Sequence, residues 1–260
     1  MNAKKKVRRY RNLLQHFRNW PQYLWYKAAG RSESFDFRAK NGFSIRVPRR
    51  MLSPFRECFF DQIYFKYIPP PLLSLNAPTV IDVGANVGYF SLFALYRYPK
   101  ARVFSFEPMP FNYRRLQEYQ ALYPDFDWHV EPKAVTDHAQ TLTLHTSTVE
   151  GYTTMAGVFA QPSRSERIEV EAVSLPQVLT THSIDQVDIL KLDCEGSEYA
   201  IVYSLPPEVL ARTRVLIIET HRGEKEHETT EALATYLQQH DFRMHVLSDG
   251  GLGYIWAWQD

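Results

Sequence analysis

The stretch Val80-Ile81-Asp82-Val83-Gly84-Ala85-Asn86-Val87-Gly88-Tyr89-Phe90 runs from an apolar segment through small residues into a helical pattern. A strand, turn and helix of this kind form a ligand cradle. Gly84 and Gly88 let the backbone approach a ligand and adopt torsions closed to other residues, and the helix that follows offers unpaired N–H groups to a carboxylate. Asp82 can meet an ammonium group beside the same turn. A Gly-rich turn alone is as often an ordinary strand–helix connection. A second signal strengthens it: Glu107, 19 residues beyond Gly88, ends the next apolar run. There an acidic side chain of a doubly wound fold accepts hydrogen bonds from both ribose hydroxyls of a nucleoside, although a strand-end carboxylate can also be merely solvated. The turn lacks the third glycine of Gly-x-Gly-x-x-Gly, which lets a helix meet a pyrophosphate closely. A nicotinamide-dependent oxidoreductase is therefore the less favoured reading. A methionine-type ligand needs a carboxylate and ammonium pocket, which Asp82 and the backbone from Gly84 to Gly88 could supply.

A second group of acids, Asp193, Glu195 and Glu198, follows the apolar run Val187 to Leu192, and Glu219 and His221 end the next one. Asp193 and Glu195 could hold a divalent cation through oxygen ligands, act as general base, or place negative potential near a cationic ligand. For Glu198 a structural role in the turn of the following helix is at least as natural. A lone histidine is usually structural, but His221 stands at the same edge, where neutral imidazole can take a hydroxyl proton near pH 7. The chain has two cysteines, Cys58 and Cys194, so no disulfide framework is specified, and a reducing, cytoplasmic setting is the expectation.

These residues need elements to position them. Thr79 to Val83, Arg102 to Phe106, Phe126 to Val130, Val187 to Leu192 and Arg214 to Thr220 read as buried parallel strands, with helices over Tyr89 to Arg97 and Asn112 to Leu122. Alternation of this kind predicts an α/β fold with a doubly wound, mostly parallel sheet. Thr141 to His145 and Arg167 to Val173 are additional strands. The Ser-, Thr- and Gly-rich stretch between them, Thr146 to Arg164, reads as an acceptor-facing loop. Phe242 to Leu247 and Leu252 to Trp258 predict a C-terminal antiparallel hairpin. Phe35 to Ala39 and Phe43 to Val47 predict another around Asn41-Gly42, covering one edge of the main fold. The resulting division is a basic extension over 1–34, a hairpin and helical lead-in over 35–78, and a ligand-binding domain over 79–260.

The net charge of +1 hides an asymmetry, since positions 1–32 hold nine Lys or Arg and no acid, leaving 21 basic against 29 acidic residues beyond. Val7, Tyr10, Leu13, Leu14, Phe17 and Trp20 recur at helical spacing among arginines and predict one basic amphipathic helix ended near Pro21. Such a helix either makes peripheral contact with an anionic membrane or packs its aromatic face on the protein. A non-catalytic membrane-surface module is accordingly another reading. No run of about 18 apolar residues occurs, and nothing calls for a specific nucleic-acid partner. Oligomeric state is not encoded in any of these features.

Four segments, in order, resemble the FkbM family of methyltransferases: Ile81-Asp82-Val83-Gly84-Ala85-Asn86-Val87-Gly88-Tyr89, Phe106-Glu107-Pro108, Leu190-Lys191-Leu192-Asp193-Cys194-Glu195-Gly196-Ser197-Glu198, and Ile218-Glu219-Thr220-His221. The resemblance implies a class I, Rossmann-like fold and methyl transfer from S-adenosylmethionine, typically to oxygen, on a small-molecule or glycan acceptor such as a saccharide, glycolipid or polyketide. It places Asp82, Gly84, Ala85, Asn86 and Gly88 on the methionine part, Glu107 with Pro108 on the ribose, Ala134 and Val135 on the adenine side, and Asp193 near the sulfonium. His221 is the first candidate for the base, with Asp193 or Glu195 second. Two positions depart from the family pattern: Ser174-Leu175-Pro176 stands where Thr-Leu-Asp is usual, and Gln120 where Asn is.

Overall fold

A computed structural model describes residues 3–30, 33–147, 157, 166–249 and 251–259, with side chains from residue 6 onward. The acceptor-facing loop expected over Thr146 to Arg164 lies largely outside them. The chain divides into two compact units, Met1–Lys66 and Tyr67–Asp260. Among the described residues no helix is long and apolar enough to cross a membrane.

The first unit holds α1 (Ala3–His16), α2 (Trp20–Ala29), the antiparallel hairpin of β1 (Ser34–Arg38) and β2 (Ser44–Pro48), and α3 (Leu52–Arg56), which continues into a π-helical turn over Glu57–Asp61. The single helix expected up to Pro21 is two. Pro21 sits in the first turn of α2, where its missing N–H is no loss, so it starts a helix rather than ending one. Between the helices the chain turns at Arg18 and Asn19, and Phe17 bridges to Ala39. The aromatic spacing builds an apolar centre: Phe17, Phe37, Phe55, Phe59 and Phe60 are fully buried, with Phe37 stacked on Phe55 at 4.5 Å. Arg9 pairs with the buried Asp61 through its Nε at 3.0 Å. Val7 and Trp25 remain exposed.

The second unit is the doubly wound fold. In chain order come β3 (Thr79–Val83), α4 (Tyr89–Arg97), β4 (Arg102–Phe106), α5 (Pro110–Leu122), β5 (Trp128–Glu131), β6 (Ala134–Thr136), β7 (Gln140–Thr146) and β8 (Glu166–Ser174). They are followed by α6 (Leu175–Thr181), β9 (Val187–Leu192), α7 (Glu198–Ser204), α8 (Pro207–Ala211), β10 (Thr213–His221), α9 (Thr230–Gln239), β11 (Arg243–Asp249) and β12 (Leu252–Trp258). Seven strands make one sheet in the order β11-β12-β10-β9-β3-β4-β5, parallel except for β12, which runs antiparallel to both neighbours. The strand expected from Phe126 begins two residues later, because Trp128 N–H turns back onto the Phe126 carbonyl at 2.9 Å. The additional strands are present, pair antiparallel with each other and recruit β6, forming a separate sheet of order β6-β8-β7.

Inward-facing residues of the central strands, among them Ile81, Val83, Leu190, Leu192, Leu216 and Ile218, are buried in one core, which explains why their segments read as unbroken apolar runs. Ser174-Leu175-Pro176 has a local reason. Ser174 caps α6 in a reciprocal capping box with Gln177, and Pro176 occupies the first turn. Gln120 donates to the Trp128 carbonyl, fastening α5 to β5.

Candidate active site

The chain leaves β3 toward β4 and β5, then returns to the opposite side of β3 through β9 and β10. Loops that diverge from two neighbouring strands open a crevice at their carboxyl ends, the place where open α/β sheets bind ligands. Gly84, Asn86, Asp193, Glu195, Glu219 and His221 are partly exposed along this edge, above strands that are otherwise buried.

The turn after β3 is built by close approach. Gly84 has φ +72°, and a Cβ there would lie 1.8 Å from the Asp193 carbonyl oxygen, so the turns after β3 and β9 touch only because residue 84 has no side chain. Gly88, at φ +86°, leaves room for Leu116 of α5, which a Cβ would meet at 2.5 Å. Both glycines, expected to admit a ligand, thus admit the protein's own backbone and helix. The amides of the turn are also occupied. Those of Gly84 and Ala85 bond the Phe106 carbonyl, Val87 bonds the Asn86 side chain at 2.7 Å, and Gly88 bonds the Ala85 carbonyl. Donors for an anion must therefore come from the first turn of α4, beyond Gly88, where the helical ladder opens with Leu92 N–H on the Gly88 carbonyl.

Asp82, expected to meet a ligand's ammonium group, is enclosed by the protein's own groups. It is fully buried, its Oδ1 lies 3.0 Å from Nζ of Lys191, its cross-strand neighbour on β9, and its Oδ2 accepts from Ser91 at 2.6 Å. Ser91 meets Ser105, which accepts from the Trp128 indole at 2.8 Å. Lys191 also donates to the carbonyls of Gly84 (2.8 Å) and Val83 (3.3 Å), and lies 3.6 Å from Asp193. One polar chain therefore runs from β5 to the base of the cradle, with Lys191 as the internal cation that holds the turn. No role for Lys191 was read from the sequence, although a lysine inside an apolar strand is itself a sign of a buried carboxylate nearby.

Glu107 is 5% exposed, and its carboxylate joins the turns after β3 and β4. Oε2 accepts from Asn86 N–H at 2.7 Å, and Oε1 from Met109 N–H at 2.9 Å and Asn112 at 3.4 Å. Asn86 is held at φ +53°, a left-handed conformation that asparagine tolerates. Burial pushes the Glu107 carboxyl up to about 7, against the pull of these donors. Oε2 retains a second lone pair for a ligand hydroxyl. Pro108 is partly exposed beside it. Ala134 and Val135, expected on the adenine side, are buried on β6. Val135 packs into the main core and Ala134 against Met109 and Leu144, so neither presents its side chain to solvent.

Across the crevice, Glu198 at the start of α7 is fully buried and accepts from the amides of Cys194 (3.1 Å) and Gly196 (2.9 Å) and from His221 Nδ1 (2.8 Å). It is the structural anchor of the turn after β9. His221 Nε2 faces Glu195 at 3.6 Å. Burial lowers the imidazole's proton affinity, but the Glu198 hydrogen bond and the charges of Glu198, Glu195 and Asp193 outweigh it and hold His221 up at about 9. At pH 7 it is an imidazolium, so its expected role as neutral base does not fit the resting site. The expected cation pair is also rearranged, because Asp193 groups with Glu219 and His221 rather than with Glu195. Burial and the neighbouring carboxylates raise the Cys194 thiol well above its usual range, so it carries no thiolate chemistry.

Glu107 and His221 both bind their protons more tightly in the folded chain than the ordinary 4.5 and 6.5 of the unfolded one. The stability each adds is complete below its ordinary pKa and is lost as pH rises through its folded value. The melting temperature is expected to fall as pH rises from about 4.5 to about 7 through Glu107 and from about 6.5 to about 9 through His221. His221→Gln should abolish the upper part of that fall, and an unchanged slope in the variant would contradict the assignment.

Residues 82–244 match the Methyltransferase FkbM domain. The AMB antimetabolite synthetase AmbE of Pseudomonas aeruginosa is 25% identical over 75% of this chain, which spans 11% of that protein's length. The 31-O-demethyl-FK506 methyltransferase FkbM of Streptomyces tacrolimicus is 28% identical, covering 64% of this chain and 73% of its own. Among solved structures, methyltransferase FkbM of Methylobacillus flagellatus superposes with a TM-score of 0.52 at 15% identity, over 80% of this chain and 54% of that one, a likeness of fold. With the domain match covering more than half of the sequence, the chain belongs to the FkbM methyltransferase family.

Proposed function

We propose that this chain transfers the methyl group of S-adenosylmethionine to a hydroxyl oxygen of a saccharide, glycolipid or polyketide-like acceptor. The observation that carries this reading is the link between Glu107 and Asn86, which makes the acid at the end of β4 and the turn after β3 one unit at the switch point. A nucleoside ribose fits that acid, and the partly exposed carboxylates of Asp193 and Glu195 suit a nearby positive charge. The bound donor supplies a methyl carbon activated by a sulfonium centre, which leaves as a neutral thioether. The chain's residues bind and align the reactants, a contribution worth several orders of magnitude for a two-reactant displacement.

The acceptor's proton goes to Glu195 or Asp193 rather than His221. His221 as an imidazolium instead holds Glu195 in place, and Glu198 holds His221. Similarity to the Streptomyces 31-O-demethyl-FK506 methyltransferase supports oxygen as the atom methylated. The test is incubation with methyl-labelled donor and a panel of polyhydroxylated acceptors. Label should appear in an ether that resists base, and label found only on amine or carbon acceptors would contradict oxygen transfer.

A further inference from the structure

Glu219 and His221 lie two residues apart at the end of β10, so their side chains share one face of the sheet, with the buried Thr220 between them on the other. The register Ile218↔Leu192 brings Glu219 alongside Asp193, the first residue beyond β9. One donor atom from each of Asp193, Glu219 and His221 falls within 4.8 Å of the others. Ligands of a single ion about 2.1 Å from its centre stand up to roughly 4.2 Å apart, so closure needs only rotamer-scale movement.

The histidine is prepared for such a role by a residue outside the trio. Glu198, with no exposed surface, fixes the imidazole through Nδ1 while two backbone amides fix Glu198 itself. Metal-binding histidines have this arrangement, in which a buried carboxylate orients the ring and leaves Nε2 as the ligand atom. The Tyr199 hydroxyl also bonds the His221 carbonyl at 2.9 Å, fixing the backbone from the other side.

We propose that Asp193, Glu219 and His221 form a binding site for one divalent first-row cation at the carboxyl edge of β9 and β10. Two carboxylates and one imidazole suit manganese- or iron-like ions better than magnesium, which prefers an all-oxygen shell. Binding replaces the Nε2 proton and releases Glu195 from the imidazolium that holds it when the metal is absent. The site stands on these residues alone. Its use, polarising the acceptor hydroxyl so that Glu195, the candidate base outside the trio, can remove its proton, rests on the proposed methyl transfer.

The test is titration of the chelator-treated full chain with Mn2+, followed by electron paramagnetic resonance, with S-adenosylhomocysteine binding measured on the same samples without metal. One Mn2+ per chain is expected, displaced by Zn2+ but not by equimolar Mg2+. Glu219→Gln, a partly exposed position, should weaken binding at least about tenfold without changing the melting temperature, and Glu198→Gln should weaken it by about 10–100-fold. The surface variant Glu118→Gln should change nothing. Absence of bound Mn2+ at millimolar concentration, or affinity unaltered by Glu219→Gln, overturns the metal site. If S-adenosylhomocysteine still binds in that case, the methyl-donor reading survives; loss of donor binding with Mn2+ still bound has the opposite meaning.

Discussion

Lys191→Ala is expected to destabilise the doubly wound unit by about 3–5 kcal/mol, the cost of leaving a buried carboxylate without its cation. Asp82 is fully buried and Lys191 is 2% exposed, so solvent does not screen their pairing. The loss is compounded because Nζ also holds the Gly84 and Val83 carbonyls, which shape the turn that meets Asp193. Against a typical domain stability of roughly 5–15 kcal/mol this is a large fraction, and part of the protein should be unfolded at physiological temperature. Chemical denaturation measures it directly. The double variant Asp82→Asn, Lys191→Met removes both charges and should recover much of the loss. A double variant whose cost equals the sum of the single costs would show that the pair is not coupled. For the same reason Asp82→Ala is a poor probe of ligand binding, since it strands Lys191 inside the fold.

How much of this was legible depended on whether the cause was local. The parallel strands β3, β4, β9 and β10 and the hairpin of β11 and β12 follow from short apolar runs and turn residues, and the structure has them within a few residues. Ala134-Val135-Thr136 is too short for any periodicity, so β6 exists only because β8 is there to pair with it. In the first unit the aromatic spacing runs through the break between α1 and α2. Pro21 looks like a terminator by type and acts as an initiator by position.

In the site, residue types at the strand ends were readable but their partners were not. Asp82 and Lys191 are 109 positions apart and meet because β3 and β9 are neighbours, a consequence of strand order. Likewise Glu198 turns His221 from an expected neutral base into a held imidazolium across 23 positions. The acids were found and their division of labour was not. Glu198 is an anchor, Glu195 faces the imidazole, and Asp193 stands with Glu219.

Glu107→Gln is the variant with the largest expected effect on the donor. Both carboxylate oxygens accept from backbone amides, Asn86 on one and Met109 on the other. An amide presents only one acceptor oxygen, so glutamine must abandon one of the two turns and cannot take both ribose hydroxyls. Hydrogen bonds to a charged group are worth about 1.5–3 kcal/mol each, so donor affinity should fall about a hundredfold. The fold should persist, because the substitution also removes a carboxylate that burial disfavours.

Calorimetric titration of the folded wild type and of Glu107→Gln with S-adenosylhomocysteine, with NADH as the comparison, tests the central claim most directly. The proposed function predicts saturable binding of S-adenosylhomocysteine that weakens about a hundredfold in the variant, with no heat from NADH. Binding of NADH in its place, or S-adenosylhomocysteine binding indifferent to residue 107, would mean that the crevice between β3 and β9 is not a methyl-donor site.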